Sequence, residues 1–73
     1  MIIFIKTIEN KYILQVEPEN TITHLKYQIQ NNLHIQYEQQ RLIFNGSPMV
    51  NDYTLQQHGV HKNSTIHLLL CMI

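Results

Sequence analysis

The feature that most limits how this chain can fold is its last stretch, "STIHLLLCMI", Ser64 to Ile73. It is the most apolar run in the sequence, yet it stands at the carboxyl end, where domains usually finish in polar, frayed segments. Thr65–Met72 has the composition and length of a β-strand. Side chains alternate between the two faces of a sheet, so Ile66, Leu68 and Leu70 form one set and His67 and Leu69 the other. The even-numbered set reads as core. The terminal run is therefore structural and not a loose tail.

The remaining residues must supply the sheet that this strand joins and a layer to cover it. With 73 residues there is room for one domain, spanning 1–73. Met1–Thr7 and Tyr12–Val16 read as strands, and "IENK" between them as a tight turn in which Asn10 can take positive φ. Two strands joined so closely form a hairpin. Pro18 stops the second strand, and "PENTITHLKYQIQNN" reads as a helix. Thr21 is its N-cap, Ile22, Leu25 and Ile29 recur along one face, and Asn31-Asn32 suits its C-terminus. Gln40–Phe44 is a third strand, and Asn45-Gly46 turns it into Ser47–Met49, which Pro48 assigns to a sheet edge. "TLQQHG" is a single helical turn ending at Gly59. The order ββαββ, helical turn, β makes an α+β domain.

One helix covers one face of a sheet. The covered face takes Ile3, Ile5, Leu14, Val16, Leu42, Ile66, Leu68 and Leu70 against Ile22, Leu25 and Ile29. Alternation sends Lys6, Arg41, Ile43, His67 and Leu69 to the other face, with Ile8 at the hairpin turn beside them. With no second helix that face is wet. Ile8, Ile43 and Leu69 then form an apolar cluster rimmed by Lys6, Arg41, His67 and the backbone at Gly46. A contiguous apolar patch with a polar rim is a candidate binding site; the alternative is a half-exposed sheet face without a partner.

Composition removes several function classes. Five basic and five acidic residues give a formal net charge of zero, and the basic ones form no run. Nucleic acid is thus not expected as a partner, because phosphate binding needs clustered positive charge. No membrane partner is expected either: "MIIFIKT" lacks the features of a signal peptide, and no segment approaches a membrane span. Cys71 is the single cysteine, which rules out an internal disulfide and suits a reducing compartment, the cytoplasm or nucleus. The sequons at Asn45 and Asn63 read as chance matches. No metal or cofactor is expected: His58 and His61 lack enough companions for a zinc site, and there is no phosphate loop. Cys71 has no activating neighbour in sequence and reads as a plain thiol, and no acid–base constellation argues for an enzyme.

"MIIFIKT", "VEPENTI", "QQRLIFNG" and "STIHLLL", in this order and spacing, resemble the ubiquitin family over Met1 to about Leu70. The resemblance implies a β-grasp: a mixed five-strand sheet of order 2-1-5-3-4 with one main helix and a short helical turn. It places the family's main recognition surface on Ile8, Ile43, His67 and Leu69, with Lys6, Arg41 and Gly46 at its edge. A second family patch falls on Ile35, Leu70 and Met72, and Lys6, Lys11, Lys26 and Lys62 match family lysines that can accept ubiquitin. The implied partners are proteins with ubiquitin-binding domains, proteasome receptors or ubiquitin-pathway enzymes, met by a monomer.

The chain also departs from the family. It is one residue shorter between Thr7 and Pro18, which makes Tyr12, Leu14 and Val16 the inward set of strand two. Gln36-Tyr37 stands where a Pro-Pro is usual, Ser47 replaces the hairpin lysine, and Gln28 and Asn32 replace two helix lysines. Cys71, Met72 and Ile73 occupy the first tail positions, and the family's closing Gly-Gly is not present. Activation of a terminal carboxylate uses that diglycine, so the expectation is a domain recognised non-covalently. The alternatives are a covalent modifier whose Gly-Gly is missing from this chain, and a non-conjugatable decoy of ubiquitin-handling enzymes.

Overall fold

In a computed structural model, which describes residues 1–71, five strands and one helix form two layers. The strands are β1 (Ile2–Lys6), β2 (Lys11–Gln15), β3 (Gln40–Phe44), β4 (Ser47–Pro48) and β5 (Thr65–Leu70); the helix α1 is Ile22–Leu33. Single 3-10 turns lie at Tyr37–Gln39 and Gln56–His58. The sheet order is β2-β1-β5-β3-β4, with β1 and β5 parallel and the other pairs antiparallel. This is the β-grasp that the resemblance implied. The terminal strand lies in the middle of the sheet, paired on both sides, which is why it can be so apolar. No helix of the described residues is long and apolar enough to cross a membrane.

The helix starts where its cap chemistry puts it. Thr21 is the N-cap, and its Oγ1 accepts the His24 N–H at 3.1 Å. The next orphan donors are met from a distant loop: Ile22 N–H reaches the Tyr53 carbonyl and Thr23 N–H the Asn51 carbonyl. The end is two residues later than expected from the asparagine pair. Asn31 and Asn32 are helical, and His34 takes the left-handed cap at φ 60°, donating its N–H to the Gln30 carbonyl. The apolar stripe explains this: Leu33 follows Ile29 by four residues and packs on the core, so the helix continues to place it.

Two turns close the hairpins differently. Asn45 and Gly46 both have positive φ (53° and 79°), as a type I′ turn requires. Between β1 and β2, however, Asn10 does not take positive φ as expected. Thr7 does the work there: its N–H donates to the Asn10 carbonyl, and its Oγ1 accepts the Asn10 N–H at 3.0 Å.

The core holds Ile3, Ile5, Leu14, Val16, Leu42, Ile66 and Leu68 from the sheet side against Ile22, Leu25 and Ile29 of α1. Tyr12 packs half-buried at its margin. Met49, Leu55 and Val60 complete it from the irregular segment between β4 and β5, which shows no periodicity to announce them. Leu70 corrects the expected inward set. It is 55% exposed, because as the last residue of β5 it borders an open cleft opposite Ile35 instead of lying under α1.

Candidate functional site

The uncovered face of the sheet is ordered by strand register. Lys6 of β1 pairs with His67 of β5, His67 pairs with Ile43 of β3, and Ile43 pairs with Pro48 of β4. One row therefore crosses four strands as Lys6–His67–Ile43–Pro48. One step along β5 on the same face, Leu69 pairs with Arg41. Lys6, Arg41, His67 and Leu69 are exposed, and Ile43 is half-buried in the centre of the group. The expectation of an open Ile43 is corrected to that extent: it is half-buried, in register between His67 and Pro48.

Ile8 completes the group from the β1–β2 turn. It is 93% exposed, so it contributes almost nothing to folding by burial. With Leu69 it lines a cleft of about 610 Å³, whose other walls include Tyr12, Ile35 and Leu70. Two expected patches thus meet: Ile8 and Leu69 from the first, Ile35 and Leu70 from the second, lie around one cleft. Met72, the third expected member of the second patch, lies outside the described residues. Gly46 stands at the far end, in the turn after β3, and nothing comes within 4 Å of a Cβ built there. Its positive φ is the constraint on substitution, not space.

The lysines differ in setting. Lys6 and Lys62 are exposed. Lys11 is exposed and directly opposite Lys6 in the β1–β2 register, a like-charge pairing; its Nζ leans instead over the Phe4 ring, 4.6 Å from the centroid. Lys26 is half-buried on α1, with its Nζ 5.3 Å from the centre of the Tyr37 ring. Cys71 is half-buried and its backbone N–H donates to the Gln39 carbonyl. Among the described residues no group of three His, Cys, Asp or Glu side chains is placed to hold a metal ion.

Sequence reasoning missed one residue that organises the site from behind. Gln40 is buried at the start of β3, and its Nε2 donates to the Lys26 carbonyl at 2.8 Å and to the Ile35 carbonyl at 3.1 Å. It ties the helix and the Ile35 loop to the strand that carries Arg41 and Ile43. Its Oε1 is buried with no partner among the described residues. The signal was present in the alternation of "QRLIF": if Leu42 points inward, so does Gln40.

A β-grasp with an open apolar sheet face is the framework of ubiquitin-like proteins, and the comparisons agree. The model of the ubiquitin family matches residues 3–72. The chain is 32% identical to the ubiquitin-like protein NEDD8 of Dictyostelium discoideum, over 99% of this chain and 95% of that one. It is 30% identical to ubiquitin-like protein 1 of Schizosaccharomyces pombe, over 99% and 94%. It is 33% identical to ubiquilin-2 of Mus musculus, over 90% of this chain but 10% of that protein. This chain belongs to the ubiquitin family.

Proposed function

We propose that the chain is a ubiquitin-like recognition domain without enzymatic activity of its own, bound non-covalently by proteins of the ubiquitin pathway through Ile8, Ile43 and Leu69. The observation that supports this most is the row Lys6–His67–Ile43–Pro48 with Leu69 beside it, on a face that no helix of the described residues covers. Apolar area there is available to a partner, and Lys6, Arg41 and His67 around it favour a partner with acidic or acceptor groups at its rim. The match to one tenth of ubiquilin-2 supports a domain role, since a sequence of this kind occurs there inside a longer protein. The test is titration of the folded chain with a panel of small ubiquitin-binding domains. Binding that weakens in Ile43→Ala and, to a lesser degree, in Ile8→Ala is the expected result; no binding by the wild type to any member overturns the reading.

A second reading, a covalent modifier, is supported by the end-to-end match to NEDD8 and to ubiquitin-like protein 1. It is tested with the native gene product, an activating enzyme of the family and ATP. A thioester through the carboxyl terminus that still forms in Cys71→Ser, where no disulfide through that residue is possible, establishes it. If the protein is instead an acceptor of ubiquitin, the exposed Lys6 or Lys62 is modified in preference to Lys26, which lies against Tyr37. Mass spectrometry that finds Lys26 dominant in the folded state contradicts this.

A further inference from the structure

The sheet has two edges, and they are guarded unequally. β4 is two residues long and contains Pro48, both common ways of blocking further pairing. β2 is five residues long, "KYILQ", with no proline and one charge, at its first position. Its ladder phase follows from the ends. Met1 and Val16 exchange backbone hydrogen bonds in both directions, and Thr7 N–H donates to the Asn10 carbonyl. In an antiparallel pair the bonded positions alternate, so Leu14 and Tyr12 also turn their backbone groups toward β1. The N–H and C=O of Lys11, Ile13 and Gln15 consequently point away from the sheet. Gln28 of α1 occupies one of them, its Nε2 donating to the Gln15 carbonyl at 2.9 Å. The Ile13 side chain, 65% exposed, stands between them on the open face beside Phe4.

We propose that two copies of the chain pair antiparallel through their β2 edges, about a two-fold axis at Ile13. The register is self-complementary. Ile13 meets Ile13 as a bonded pair, and Lys11 meets Gln15 of the other copy, so no like charges face each other within the five residues of each β2; Glu9 and Glu17 come opposite each other only past the strand ends. The chain's formal net charge of zero adds no long-range repulsion. The axis stands perpendicular to the sheet and leaves both α1 helices on one side of a continuous ten-strand sheet. The contact is a short strand pairing without a large buried core, so association is weak, with a dissociation constant on the order of 1 mM. The chain is then a monomer at micromolar concentration and pairs where it is locally concentrated. Gln28 acts as a guard, because its amide competes for the Gln15 carbonyl that the second copy needs. None of Ile8, Ile43 or Leu69 takes part, so this pairing and the recognition role fail independently.

The experiment is a dilution series of amide NMR shifts on the intact chain, from roughly 5 to 0.05 mM to bracket that constant. Concentration-dependent shifts are expected at Lys11, Ile13 and Gln15. Ile13→Pro removes an outward donor without breaking the β1 ladder, which an edge strand tolerates, and should weaken association roughly tenfold or more. Ile13→Lys sets like charges across the axis, should weaken it similarly, and serves if the proline variant does not fold. Gln28→Ala should tighten it severalfold. Shifts absent over the whole range, shifts centred on Ile43 and Leu69 instead, or a folded Ile13 variant that associates as the wild type does would each overturn the proposal. A chain that stays monomeric yet adds an unrelated extended peptide at β2 also overturns it.

Discussion

Leu42 and Ile43 are adjacent on β3 and chemically almost alike, but they face opposite sides of the sheet. Leu42 is buried against α1, while Ile43 is half-buried in a row of side chains that no helix covers. The inner face is closed by elements far apart in sequence, and the outer face is left to water. The difference teaches that one strand can serve stability and recognition at once, because the pleat separates the two by a single residue. It also implies that the two faces should answer mutation in opposite ways.

The largest effect is expected at Leu42. Leu42→Ala removes a side chain from a closed core and should cost roughly 2–5 kcal/mol, read as a lower melting temperature. Gln40→Ala comes next on the inner face. It takes one side-chain donor away from the Lys26 and Ile35 carbonyls and should cost about 1–3 kcal/mol. Hydrogen exchange would show the loss concentrated in the middle of α1 and the Ile35 loop; a uniform loss across the molecule would mean that Gln40 fills space and ties nothing. Ile43→Ala should lower stability by only about 1 kcal/mol, since part of the residue is already wet. Its affinity for a ubiquitin-binding domain should fall about thirtyfold, close to 2 kcal/mol, as for a central apolar anchor. If it melts as early as Leu42→Ala, the two faces are not distinct in the way the register implies. The smallest effect on stability belongs to Ile8→Ala, under about 0.5 kcal/mol, because the residue is 93% exposed. Binding should still weaken severalfold, and a variant that binds as well as the wild type removes the turn from the recognition surface.

Much of this could be read along the chain. Apolar alternation located β1, β3 and β5 and separated Leu42 from Ile43, the Asn45-Gly46 pair marked its hairpin, and Thr21 marked the helix start. These are local statements: each depends on residues within a few positions, where periodicity and backbone preference act directly. The strand order was different. Segment patterns do not contain it, and it came from the family resemblance.

What the sequence determined by itself, then, was which side of each element is apolar and where the main turns fall. Tertiary structure decided what covers each side. It brought Met49, Leu55 and Val60 into the core from a segment with no pattern, left Leu70 uncovered because α1 does not extend over it, and carried α1 past its asparagines to pack Leu33, half-buried, on the core. It also set the ladder phase that turns the Ile13 backbone outward, since pairing with β1 is agreed between two segments. The physical reason is common to all of these. Burial is a relation between surfaces distant in the chain, and a residue's own sequence neighbourhood specifies only one of the two.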